Sequence, residues 1–92
     1  METDMASASQ GPARNPYTAT QGQYLAFIYY YYTKIHGRSP SEAGIQGYFR
    51  VSPPSVHQMA LMLQRLGFID RTPGQGRSLR LRLRREQLPD LM

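Results

Sequence analysis

Cysteine and tryptophan are absent from this 92-residue sequence, and lysine occurs once. Without cysteine there is no disulfide framework and no thiolate cage for a metal. No apolar run approaches the roughly 18 residues that a bilayer span requires. The N-terminus lacks the basic-then-apolar order of a secretory signal. A cytoplasmic protein without a membrane segment is therefore expected. Histidine is scarce too: His36 and His57 have no spacing that forms a metal site. Three of the six carboxylates, Glu2, Asp4 and Asp90, fall in expected tails. A nucleophile, a base and an orienting group cannot be assembled from what remains. No catalytic residue, metal, cofactor or small-molecule ligand is expected. The length suits one domain with a modest core and no deep pocket.

Acid is missing where base collects. Eleven basic residues stand against six acidic ones, giving a formal net charge of +5. Ten of the eleven are arginine, whose planar fork suits phosphate and guanine. From Arg71 to Arg85 there are six arginines and no carboxylate. Such a concentration is the electrostatic footprint of a nucleic-acid binder. A solvated basic tail is the plainer alternative.

Residues 1–16, rich in Ala, Ser, Gly and Pro without apolar period, read as a disordered leader or as a flexible arm that orders on a partner. A first helix is announced by Thr18 and Gln21, a T-x-x-Q capping box, and should stop at Gly37. Helical spacing puts Tyr24, Leu25, Ile28, Tyr31, Tyr32 and Ile35 on its inner face. Phe27, Tyr30, Thr33 and Lys34 fall opposite, with Ala26 and Tyr29 marginal. In "SPSE" Ser39 is the expected cap of a second helix, Pro40 its first residue and Glu42 the closure of the box. That helix should reach Phe49. Ser52, Pro53 and Pro54 open a third helix that Gly67 ends. Its inner stripe is Val56, Met59, Ala60, Leu63 and Leu66; its outer one is Pro54, His57, Gln58, Leu61 and Arg65. After Gly67 the period changes to two. "FIDRT" and "SLRLRLR" alternate like strands around the turn chemistry of "PGQGR". Leu79, Leu81 and Leu83 should share one side, Arg80, Arg82 and Arg84 the other. The fold class is mainly α with a small β-hairpin. Three helices followed by a hairpin is the order of a winged helix-turn-helix.

"YTATQGQYLAFI", "GRSPSEAGI", "SPPSVHQMALMLQRLGFIDR" and "PGQGRSLRL" together resemble the N-terminal winged-helix DNA-binding domain of LexA-type repressors. The match covers residues 17 to about 83, with the domain taken as 17–85 and a short tail at 86–92. The resemblance implies a sequence-specific binder of double-stranded DNA, a small transcriptional regulator. LexA repressors continue into a self-cleaving peptidase and dimerisation domain. These 92 residues carry no counterpart of it, so autoproteolysis is not expected of them. "FRVS" departs from the family pattern by placing Arg50 where glycine is usual, in a turn that looks one residue shorter.

Carried onto this sequence, the resemblance puts base contacts at Ser52, Pro54, Ser55, His57 and Gln58. Periodicity adds Leu61 and Arg65 to the same face. The wing contact falls on Gln75, Gly76 and Arg77. Arg80, Arg82 and Arg84 should supply salt-sensitive affinity. A weak or DNA-assisted homodimer is expected, because one small winged helix makes few base contacts. Within "FIYYYYTKI", Tyr31 and Tyr32 are expected in the core. Phe27, Tyr29 and Tyr30 form the candidate self-association surface. A protein-interaction module that uses these aromatics is the alternative function.

Overall fold

The computed structural model describes residues 16–92, so the expected leader, except for Pro16, lies outside the described residues. Helix α1 spans Ala19–Tyr30. Its capping box is complete: the Thr18 amide donates to Gln21 Oε1 at 2.9 Å, and the Gln21 amide donates to Thr18 Oγ1 at 3.1 Å. The helix then widens into a π segment, Tyr31–His36. There the Gly37 amide reaches back five residues to the Tyr32 carbonyl, at 2.9 Å. Thr33 supports the widening by donating its hydroxyl to the Tyr29 carbonyl at 2.9 Å. Gly37, at φ 69°, ends the helix in the left-handed conformation that lacks a penalty only for glycine.

Helix α2 spans Glu42–Phe49 and starts at Glu42, later than the Pro40 that the sequence suggests. Ser41, not Ser39, is the cap, accepting the Gly44 amide at 3.0 Å. Ser39 and Pro40 lie before the helix, although a residue before a proline can itself cap, as Ser52 before Pro53 does. Glu42 consequently occupies the first helical position, and its side chain is directed to other partners. Arg50 closes α2 at φ 56°, and the Val51 amide bonds the Gln46 carbonyl at 3.3 Å. Helix α3, Pro53–Arg65, follows at once behind its Ser52 cap. Phe68 donates its amide to the Leu63 carbonyl at 3.0 Å, and Gly67 takes φ 83°. Both features turn the chain out of α3.

The hairpin is shorter than the alternating runs imply. Strands β1, Ile69–Asp70, and β2, Arg80–Leu81, are antiparallel with Ile69 opposite Leu81 and Asp70 opposite Arg80. One further bond, from the Arg82 amide to the Phe68 carbonyl at 2.9 Å, extends the ladder. Side-chain alternation persists beyond the paired residues. Leu79 is buried and Leu81 and Leu83 half-buried, whereas Arg80, Arg82 and Arg84 are exposed. The described residues thus form three α-helices and a two-stranded hairpin around one core, centred on Leu25, Ile45, Val56, Leu63 and Ile69.

Helix α1 is enclosed on almost all sides, and this corrects the expected faces. Phe27 is only 4% exposed, not outward. The rings of Tyr48 and Phe49 from α2 cover it, with centroids 4.4 and 5.7 Å away. Tyr24 stacks on Phe49 nearby, at 4.5 Å and nearly parallel. On another side lies the segment expected to be a tail. After a 3₁₀ turn at Arg85–Gln87, Leu88 enters the core. Gln23 holds both the Asp90 carbonyl (2.9 Å) and the Met92 amide (2.8 Å), and Tyr17 donates to the Gln87 carbonyl. Gly22 allows this closure: a Cβ there would sit 2.8 Å from the Tyr17 ring and 3.1 Å from Pro89. At the other end of the helix the error is reversed. Tyr32 and Ile35, expected inside, are 54% and 47% exposed. A π turn holds more residues than an α turn, so each residue advances by a smaller angle and the inner stripe rotates off the core.

Candidate nucleic-acid interface

Ser52 caps α3 by accepting the Ser55 amide at 3.3 Å, and the two hydroxyls lie 2.9 Å apart. These serines therefore hold the start of the helix as well as line its exposed end. From that start, Pro54, His57, Gln58 and Arg65 project into solvent, and Leu61 is half-buried. Val56, Ala60 and Leu63 fix the rotation by filling the core from the opposite side. Met59 is half-buried and Leu66 is 46% exposed, so the inner stripe weakens towards the end of the helix.

The hairpin tip comes to the same place. His57, Arg71, Gln75 and Arg77 border a half-open cleft of about 260 Å³, with Glu42 at its side. Glu42 Oε1 lies 3.4 Å from His57 Nδ1, and Oε2 lies 3.7 Å from Arg71 Nη2. One carboxylate at the first position of α2 thus ties together an exposed residue of α3 and the base of the hairpin. Sequence reasoning missed this role, because it assigned Glu42 to a capping box. The hairpin loop is braced by Ser78, whose hydroxyl lies 2.9 Å from the Thr72 amide and 3.0 Å from the Gln75 carbonyl.

Arg77 is not a free fingertip. It takes φ 56° and folds back, its Nη1 donating to the Tyr31 hydroxyl at 3.3 Å and the Ser39 carbonyl at 3.4 Å. Its guanidinium also lies 5.9 Å from the Tyr31 ring centroid, within cation–π range. These contacts use one nitrogen of a group with five N–H donors. Arg77 joins the loop to the end of α1 while still bordering the cleft.

The other arginines are less bare than the acid-free run implies. Arg82 pairs with Asp70 at 3.2 Å, Arg84 with Glu86 at 3.8 Å and Arg85 with Asp90 at 3.7 Å. All are exposed pairs of small energetic value. Arg80 lies apart from the α3 cleft, beside Arg38 in a second cavity behind the hairpin. The three expected self-association residues also separate. Phe27 is buried, Tyr29 is half-buried beneath Arg85 at 5.7 Å, and Tyr30 is 42% exposed.

Among the described residues no group of three or more His, Asp or Glu could hold a metal, and no helix is long and apolar enough to cross a membrane. No protein-family model matches this chain, and no curated protein matches it significantly.

Proposed function

We infer that this chain is a winged helix-turn-helix domain that binds double-stranded DNA sequence-specifically as a small transcriptional regulator. The observation that carries this reading is the shared border of the exposed first half of α3 and the hairpin loop, which meet at His57, Gln75 and Arg77. A major groove admits one helix, with its N-terminal residues towards base edges. Gln58 can pair bidentately with adenine, His57 can donate or accept at a base edge, and Pro54 offers apolar contact to a thymine methyl. Ser52 and Ser55 lie where a phosphate would meet the start of α3. Arg65 suits the backbone further along. Arg77, with Gln75, suits flanking phosphate or minor groove, and Arg80 and Arg82 suit phosphate.

Binding measured on random duplex pools at several salt concentrations tests this. His57→Ala and Gln58→Ala should change sequence preference, and Arg77→Ala should weaken all sequences alike. Absence of duplex binding at low salt would defeat the reading. Two copies are expected on a palindromic site; a monomer by light scattering, both free and on DNA, would remove the dimer. One observation favours a second reading, a protein-interaction module. Tyr32 and Ile35 stand exposed on the π segment, and Tyr30 is exposed at the end of α1. Such a module would elute from heparin without steep salt dependence.

A further inference from the structure

We propose that the cavity between the end of the first helix and the back of the hairpin is a binding site for a small amphipathic carboxylate. Its volume, about 600 Å³, exceeds that of the α3 cleft and falls within the size of small-molecule sites. The lining is divided in the way an amphipath requires. Ile28, Leu79, Leu81 and Leu83 supply apolar surface, and the Tyr29 and Tyr32 rings flank it. Arg38, Arg77 and Arg80 supply charge, and no carboxylate side chain lines the cavity.

The distribution of ion pairs points to the same place. Among the six arginines from Arg71 to Arg85, four lie beside a carboxylate: Arg71, Arg82, Arg84 and Arg85. The two without one among the described residues, Arg77 and Arg80, both face this cavity, and Arg38 joins them. Guanidinium forks match a carboxylate with two parallel hydrogen bonds. A separate polar group is also unfulfilled. Ser39 lines the cavity, its residue 5% exposed, and its hydroxyl has no hydrogen-bond partner among the described residues. Buried hydroxyls are normally paired, and one left open beside a cavity suits a ligand oxygen. The π segment contributes the wall, because the widened turn carries Tyr32 to the cavity. Such turns occur often at functional sites.

Arg77 and Leu79 line both this cavity and the α3 cleft. A ligand that engages Arg77 therefore competes with its use on DNA, a coupling that rests on the DNA-binding reading, whereas the site itself does not. The test is titration of the full chain with decanoate, followed by amide chemical shifts and calorimetry without DNA. Decanol serves as the neutral counterpart. Decanoate should shift Thr33, Arg38, Ser39 and Arg80, and bind at least tenfold more tightly than decanol. The Arg38→Gln/Arg80→Gln double variant should lose tenfold or more in decanoate affinity with an unchanged melting midpoint. Ser39→Ala gives a second check and should weaken decanoate severalfold. Equal binding of decanoate and decanol, shifts confined to other surfaces, or no binding at millimolar concentration would overturn the proposal. So would a double variant that loses duplex affinity while keeping decanoate, since those arginines would then serve DNA. Decanoate binding with no duplex binding by the wild-type chain would leave the site standing and remove the DNA reading.

Discussion

His57 Nδ1 lies 3.4 Å from Glu42 Oε1, so a side chain on the exposed face of α3 is anchored by the first residue of α2. The same carboxylate reaches Arg71 at the base of the hairpin. A negative charge at this junction positions its partners and also repels phosphate. Glu42→Gln should therefore change fold stability by only about 0.5 kcal/mol, as for other partly exposed pairs. Duplex affinity should rise by roughly 0.5–1 kcal/mol at low salt and converge with wild type at high salt, where charges are screened. Fluorescence anisotropy across a salt series measures this. An affinity loss at all salt concentrations would show that Glu42 acts by orienting His57 and not by repulsion.

The burial of Phe27 under Tyr48 and Phe49 makes it a stability residue. Phe27→Ala should cost about 3–5 kcal/mol, in the range for a fully buried aromatic. Tyr30→Ser, on the exposed side of the same helix, should stay within about 0.5 kcal/mol. Urea denaturation of the two variants separates these outcomes. Comparable losses would contradict the packing described for α1.

Arg50 carries a left-handed backbone at the turn between α2 and α3. Non-glycine residues are disfavoured there by about 1–2 kcal/mol. Part of the relief in Arg50→Gly is lost to the freer unfolded chain. The variant should be stabilised by about 0.5–1 kcal/mol, visible as a higher melting midpoint. Destabilisation would mean that the Arg50 side chain makes a contact worth more than the strain.

Burial raises the hydroxyl pKa of Tyr17 and of Tyr24 above the ordinary value of 10.0. Folding thus favours the protonated phenol. Their contribution is fully present below the unfolded pKa, near pH 10, and is lost as pH rises through the higher folded-state values. Melting midpoints should hold level from about pH 8 to about pH 10 and fall above that. Tyr24→Phe should flatten the fall; an unchanged slope would assign alkaline unfolding to other groups.

The helix starts at Thr18 and Ser52 were legible because a cap is a local device, complete within four residues. The second helix was placed two residues early, because the capping-box pattern pointed to Ser39, whereas the cap is Ser41. The hairpin alternation was legible for the same local reason, even though only two residues of each strand pair. Phe27 was misplaced because periodicity assumes one buried face, and here α2 and residues 85–92 cover α1 from separate directions. The acid-free run was real in sequence but not in space. Glu42, Asp70, Glu86 and Asp90 all come from outside it. On the candidate site, the exposure of His57 and Gln58 followed from helical spacing. The back-folded Arg77 and the divided arginines depend on tertiary contacts that no spacing encodes.

The widened turn at Tyr31–His36 also sets how this chain can be aligned with others. Each π turn takes up one residue more than an α turn without lengthening the path between its ends. A counterpart that crosses the same distance as plain α-helix needs one residue fewer between Tyr29 and Gly37. The four tyrosines therefore straddle a frame shift: positions before it align by one register, and Tyr32 and Ile35 by the next. An ungapped comparison would carry the register of the α-helix past the widening and misplace the residues that follow it by one position.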